Sequence, residues 1–297
     1  MMRKVKISHL EIGNGTPKIM GILNVSPESF YKESISIGKG IISERALQME
    51  KEGADIIDIG GMSTAPYLDT VISLEKEIER IRNSVNAVKE VCRIPVSVDT
   101  PRADVAKVSA ELGIDLINDV TGLKYDERMK EIVFSTGLPV IIGAYGRKSI
   151  TYKSGDIFET IKILQESLNL AHKKGISDNK IIIDPLIGFF RSTGNNPFFT
   201  KIAHDSWYER DLEIISGLKR LSNISMPICI SVSRKSFIGK LFNLTESERL
   251  IPSIITQIIC ALNGASIIRT HDVKETKIGL ELLKKITKDR ERHPGTT

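Results

Sequence analysis

The run Ile230-Ser231-Val232-Ser233-Arg234-Lys235-Ser236-Phe237-Ile238-Gly239-Lys240 passes from a β-rich stretch into two adjacent cations, a hydroxyl and a glycine. A second run, 265–268, ends in Arg269-Thr270-His271-Asp272. Two consecutive strands of this kind deliver positive charge to one end of the protein, which is an anion site in the making. Earlier runs end instead in acids and amides: Asn24, then Asp58 with Ser63-Thr64, Asp99-Thr100, Asn118-Asp119 and Asp184. A carboxylate accepts two parallel N–H bonds, so such a set suits a flat heterocycle with adjacent donors and acceptors. The cations suit a phosphate or diphosphate on the same ligand. Any single aspartate here could cap the helix that follows it, and that ordinary role is expected of Asp119 and Asp272. Six or more polar strand ends together exceed what capping explains. His9, His172, His204 and His293 show no ligand spacing, and neither a Ser-His-Asp order nor a Cys-His pair stands out. An oxygen-ligated Mg²⁺ travelling with a diphosphate would leave little trace in sequence.

The elements that must position these residues are short. Eight apolar runs, 19–25, 54–60, 95–98, 116–120, 139–143, 180–184, 227–232 and 265–269, are continuous rather than alternating and rich in Ile and Val. Parallel strands covered on both faces read this way. Between them lie helical periods, clearest at Leu74, Ile78, Ile81, Val85 and Val88, and at Ile157, Ile161, Leu164, Leu168 and Ala171. Gly53, Gly113, Gly137, Gly175 and Gly264 stand where a left-handed residue would end each helix. Thr245 and Glu248 have capping-box spacing, although Pro252 falls within the first turns of that helix. Eight strands alternating with helices point to a single (β/α)8 TIM barrel over a doubly wound sheet. The expected organisation is an N-terminal hairpin in 1–18 (strands in 5–12, turn at Gly13-Asn14-Gly15), the barrel over 19–285, and a flexible tail over 286–297. Chemistry in such barrels collects at the carboxyl ends of the strands.

Composition narrows the function classes. Hydrophobic residues make up 41% and charged residues 27% of the 297, and the net charge of +5 is spread along helical segments with no basic block before the last residues. That argues against nucleic acid as a partner. Cys92, Cys229 and Cys260 lie far apart, as reduced core thiols would, in a cytoplasmic protein. Residues 1–18 lack the apolar core of a signal peptide, and no run reaches the ~20 residues a membrane span needs.

At its strand ends the chain resembles the dihydropteroate synthases, a family of pterin-binding TIM barrels. The motifs are Met20-Gly21-Ile22-Leu23-Asn24-Val25-Ser26-Pro27-Glu28-Ser29-Phe30, Asp55-Ile56-Ile57-Asp58-Ile59-Gly60-Gly61, Ser97-Val98-Asp99-Thr100, Ile117-Asn118-Asp119-Val120, Asp184-Pro185-Leu186-Ile187-Gly188-Phe189, Ser233-Arg234-Lys235-Ser236-Phe237-Ile238-Gly239 and Arg269-Thr270-His271-Asp272-Val273. They come in the family's order across about residues 19–285. The resemblance implies a transferase that joins 6-hydroxymethyl-7,8-dihydropterin diphosphate to an arylamine with loss of pyrophosphate, without an organic cofactor. It assigns the pterin ring to Asp99, Asn118, Asp184 and Lys235, the diphosphate to Asn24, Thr64, Arg269 and His271, and Mg²⁺ to the neighbourhood of Asn24. Asp99, Lys235 and Arg269 would be catalytic, Ser236, Phe189, Ala65 and Pro66 would face the arylamine, and barrel helices would form a homodimer.

The chain departs from the family mainly on the arylamine side. The usual Glu-Ser-Thr-Arg-Pro-Gly is here Met62-Ser63-Thr64-Ala65-Pro66-Tyr67, which removes a loop arginine. Leu186, Phe190 and Arg191 stand for Gly, Gly and Lys, Ala144-Tyr145 for His-Met, Glu28 for Asp and Tyr31 for Ser. These changes suggest an acceptor other than plain 4-aminobenzoate, such as the ribosylated aminobenzene phosphate of methanopterin-type synthesis in archaeal relatives, or a different grip on the same one. Two alternatives use the same barrel: methyl transfer from methyltetrahydropterin to a corrinoid protein, which needs no diphosphate grip, and pterin binding without turnover.

Overall fold

The computed structural model describes residues 2–27, 38–151, 157–203 and 207–292. Runs of Ile and Val too short for helices, with no polar face, must be covered on both sides, and the chain meets that demand by alternating strand and helix. In order the elements are β1 (Val5–Ile7), β2 (Leu10–Ile12), β3 (Lys18–Asn24), α1 (Lys39–Glu52), β4 (Ile56–Gly60), α2 (Leu74–Val91), β5 (Val96–Asp99), α3 (Ala103–Glu111), β6 (Leu116–Asp119), α4 (Met129–Thr136), β7 (Val140–Gly143) and α5 (Phe158–Lys174). There follow β8 (Ile181–Asp184), β9 (Phe190–Arg191), β10 (Thr200–Lys201), α6 (Trp207–Ser216), β11 (Cys229–Ile230), α7 (Ser236–Phe242), α8 (Leu250–Leu262), β12 (Ile267–Thr270) and α9 (Val273–Arg292).

Eight parallel strands pair in the order β11-β12-β3-β4-β5-β6-β7-β8, and a bridge between Ile183 and Ile228 joins the last to the first. The TIM barrel expected from the strand–helix alternation is therefore present. Helix ends follow the expected chemistry, since Gly53, Gly113, Gly137, Gly175 and Gly264 all have positive φ. Pro252 is compatible with its helix because it is the third residue of α8, where an amide hydrogen has no partner to lose. The Thr245–Glu248 pair caps a 3-10 turn just ahead of it, with Thr245 N donating to the Glu248 carboxylate at 2.8 Å.

The floor of the barrel shows why the N-terminal segment is needed. Val5, Ile7 and Ile12 are fully buried against Met20, Ile56, Leu116, Ile141, Ile182, Cys229 and Ile267, so the hairpin plugs the amino-terminal end. Each such side chain contributes about 1.5–3 kcal/mol through burial. The hairpin differs from expectation in its turn, which falls at Ser8-His9 with Ser8 at φ 51, while Gly13-Asn14-Gly15 connects β2 to β3. A three-residue arm on each side leaves no length for a turn at Gly13. The last helix also differs: it runs to Arg292, so the segment expected to fray from 286 begins inside it. Residues 284–292 are rich in Lys, Arg and Glu, all good helix formers, and Ile286 continues the row of Ile278 and Leu282. Among the described residues no helix is long and apolar enough to cross a membrane, and the three cysteines are free and buried.

Candidate active site

Sheet register sets the site. Asn24 pairs with Gly60, Gly60 with Asp99 and Asp99 with Asn118, so one row of residues circles the carboxyl end of the barrel at a common height. Asp184 ends β8 opposite Gly143. All twelve residues assigned to substrate or metal in the sequence (Asn24, Thr64, Ala65, Pro66, Asp99, Asn118, Asp184, Phe189, Lys235, Ser236, Arg269 and His271) line one cleft. It encloses about 810 Å³, part of it open to solvent.

The acids at its base are deeply buried and incompletely satisfied. Arg269 donates from Nε to Asp58 Oδ2 at 2.6 Å and from a terminal nitrogen to Asp99 Oδ2 at 2.8 Å. Asn118 donates to Asp58 Oδ2 at 3.0 Å. Asp58 Oδ1 and Asp99 Oδ1 are buried without a hydrogen-bond partner, and a carboxylate oxygen left that way is costly unless a ligand supplies the donor. Asp184 Oδ1 accepts from Leu186 N at 2.7 Å. Burial pushes the Asp99 carboxyl up to about 7; Arg269 opposes the shift, and the nearby Asp58 adds to it. Burial raises Asp184 as well, against the Leu186 amide and the charges of Lys235 and Arg269.

The cations are not arranged as the strand ends suggested. Arg269 is already paired with two carboxylates, since barrel closure sets β12 beside β3 and one strand from β4. Acid and base are thus interlocked at the floor rather than divided between two sides. Arg234 does not line the cleft: its guanidinium turns to Asp272 (2.8 Å) and to the carbonyls of Glu246 and Ser247 (2.9 Å each). Asp272 stands at the start of α9 with its carboxylate spent on this pair. Asp119 serves its own loop, accepting from Thr121 N, Thr121 Oγ1 and Leu123 N. Lys235 remains as the cation over the ring site, with Nζ 4.3 Å from the centre of the Phe189 ring. Loss of water and the neighbouring Arg269 draw its pKa down to about 8, with Asp184 pulling the other way. His271 is buried, bonded from Nδ1 to Ser233 Oγ at 3.0 Å and 3.5 Å from the Asn24 amide through Nε2. Burial and four nearby cations hold its pKa well below the usual value. In these surroundings the imidazole is neutral.

The remaining wall is built from loops. After β4, residues 62–71 are pinned to the segment after β9: Asn196 Nδ2 donates to Ala65 O (2.6 Å) and Leu68 O (3.3 Å), Asn195 Nδ2 to Tyr67 O (3.0 Å), and Asn195 N to Pro66 O (2.7 Å). After β8, Leu186 takes a left-handed φ of 55 where glycine is the easy choice. The fully buried Arg210 holds that turn, donating to Pro185 O at 2.5 Å and Leu186 O at 3.1 Å, with Phe190 stacked 3.6 Å away. Arg191 Nη2 donates to Ser236 Oγ. Arg210 and the Asn195–Asn196 pair belong to no motif in the sequence, and Ser233 stands in one without an assigned role. The expected loop after the first barrel strand, with Glu28 and Tyr31, lies outside the described residues. No cluster of three His, Cys, Asp or Glu side chains among the described residues could hold a metal. Asn24 offers a single amide oxygen, which fits a cation whose other ligands are waters and substrate phosphates.

Comparison with known proteins agrees with this geometry. A family profile described as "Pterin binding enzyme" matches residues 20–271. The dihydropteroate synthase of Clostridium beijerinckii is 35% identical over 275 residues, 92% of this chain and 94% of that one. A dihydropteroate synthase of Yersinia pestis, solved in complex with a sulfonamide drug, superposes with a TM-score of 0.80 at 29% identity, covering 96% of this chain and 99% of that one. The Coxiella burnetii dihydropteroate synthase, solved with pteroic acid, gives 0.79 at 31% identity over 96% and 98% of the two chains.

Proposed function

The chain belongs to the dihydropteroate synthase family of pterin-binding enzymes, and from that premise we propose that it joins 6-hydroxymethyl-7,8-dihydropterin diphosphate to an arylamine that carries an acidic group, 4-aminobenzoate or a ribosylated aminobenzene phosphate. The carbon–oxygen bond to the diphosphate breaks, a carbon–nitrogen bond to the amine forms, and pyrophosphate and a proton leave. The observation that carries this reading is the buried Asp99 Oδ1, which lacks a protein donor in a cleft that Asn118, Asp184 and Lys235 also line. A ring N–H group would supply the missing bond.

In this reading Asp99, Asn118 and Asp184 hold the ring edge-on, and Lys235 lies over it. Arg269 lets one carboxylate turn to the ligand and gives part of its charge to the diphosphate, beside Asn24, Thr64 and the neutral His271. Positive charge placed where a leaving group gains negative charge lowers the barrier directly. Mg²⁺, held by Asn24 and the diphosphate, would add to that neutralisation. An aniline is already neutral at pH 7, so the residues on its side, Ser236, Phe189, Ala65 and Pro66, need only position it. The outer helices α8 and α9 also support self-association: Ile251, Ile255, Ile259 and Leu262 on α8 and Ile278, Leu282 and Ile286 on α9 are exposed apolar rows that a second copy would cover, which sedimentation of the purified chain checks.

Pyrophosphate release from the pterin diphosphate, with 4-aminobenzoate, its ribosyl phosphate analogue and aniline in turn, and with and without EDTA, tests the reading. Release with an acidic arylamine is expected, lost when Mg²⁺ is chelated. Reaction of methyltetrahydropterin with a corrinoid protein alone, or tight pterin binding with no release under any condition, would refute it.

A further inference from the structure

Arg191 is an unusual charge for a protein interior. It is 7% exposed, and among the described residues no carboxylate is in direct contact with its guanidinium, Asp211 acting on it from farther off. The group stacks 3.2 Å above the Trp207 ring, donates from Nε and Nη2 to Gly188 O (3.3 and 3.2 Å), and donates from Nη2 to Ser236 Oγ. A buried cation that touches no counter-ion is costly, so its retention needs a return. Ser236 supplies one, because its hydroxyl lines the cleft and Arg191 does not. A serine oxygen that accepts from a guanidinium keeps its own hydrogen to give elsewhere, and here elsewhere is the cleft.

We propose that Arg191 is a positioning residue that fixes Ser236 as a hydrogen-bond donor toward the acidic group of the acceptor, and that this pair takes over the anion grip which Ala65, in place of the family's loop arginine, cannot provide. The inference rests on the arylamine reading above and names what selects the acceptor within it: a negatively charged oxygen on the ring, para to the amine or carried on a short extension. Arginine suits the task where lysine would not, since one planar group must lie on Trp207 and fork to Gly188 O and Ser236 Oγ together.

The test is the ratio of kcat/KM for 4-aminobenzoate to that for aniline, in the intact chain and in Arg191→Met, Arg191→Lys, Ser236→Ala and the double variant Arg191→Met with Ser236→Ala. Loss of a hydrogen bond to a charged group should lower the ratio by ~10-fold or more in Arg191→Met and in Ser236→Ala. The double variant should be no worse than either single change, and Arg191→Lys should fall between. An unchanged ratio, or equal loss on both amines, would show that Arg191 only packs the loop. Should the intact chain turn over no arylamine, the function proposed above fails by itself. Calorimetric binding of 4-aminobenzoate and aniline to the pterin diphosphate complex then decides the present point: a preference for the acid that vanishes in Arg191→Met upholds it, and a preference that survives, or none at all, overturns it.

Discussion

At the base of the cleft the polar side chains stand on strand ends; on the side where the acceptor would enter they stand on loops. Asn24, Asp99 and Asn118 share one height because the ladder makes them successive partners through Gly60. Moving any of them means slipping a strand of a closed barrel. The other wall is joined by side chains that reach across long stretches of sequence: Asn196 to Ala65, Asn195 to Tyr67, Arg191 to Ser236, Arg210 to Leu186. Backbone hydrogen bonds fix the first region, and single side chains fix the second. The floor can therefore keep one ligand while the wall is rebuilt for another, and the departures from the family pattern fall almost entirely on the wall.

The largest effect should come from the ring-binding part of the cleft. Lys235→Ala removes the cation 4.3 Å above Phe189 and should lower kcat for pyrophosphate release by ~10²-fold or more, on the scale of a lost electrostatic contact in a transition state. Near-normal turnover would mean that Arg269 alone carries the charge, and the contrast between floor and wall would lose its main support.

A second prediction concerns protons at the same place. Asp99, pushed up to about 7, accepts two N–H bonds only as a carboxylate, so activity falls as the pH drops below that value. Lys235, drawn down to about 8, is charged only below that value, so activity falls again above it. The profile of kcat/KM, which reports the free enzyme, should be a narrow bell between these limits, with a slope of about tenfold per unit on its acid side. Asp99→Asn should abolish the acid limb along with most of the affinity for pterin. An acid limb near the ordinary carboxylate value would show that the bond from Arg269 outweighs burial. Wall variants should leave the shape of the bell alone.

The same contrast explains what could be read from the sequence. The barrel and its floor were legible because a buried parallel strand is a short apolar run, and the first polar residue after it has one place to go. Arg269 was correctly sited and its partners were missed, although closure of eight strands already sets the last beside the first. Adjacency to Lys235 marks Arg234 as a site cation, but its φ of 51 and the pull of Asp272 turn it away, and nothing local announces either. The lowered pKa of His271 has no signal in sequence, because burial and its neighbouring cations are properties of the assembled site. Arg210, Asn195 and Asn196 left no pattern at all, since each acts on a carbonyl far along the chain.

The smallest effect is also the most specific. If Arg191 and Ser236 already grip the acid of the acceptor, then Ala65→Arg, which restores the family's loop cation on the opposite side, has little left to add: use of 4-aminobenzoate should improve by no more than about threefold, the modest gain of a partly exposed charge pair. In an Arg191→Met background the same substitution should recover most of the lost kcat/KM, because the site then lacks a fixed donor to that group. Ala65 is buried with its carbonyl tied to Asn196, so thermal melting of both variants must accompany the kinetics. Two arginines that serve one anion are coupled, and their effects cannot be additive. Equal gains in the two backgrounds would mean that they act on different parts of the acceptor, and that the wall was altered for a substrate with a second anionic group.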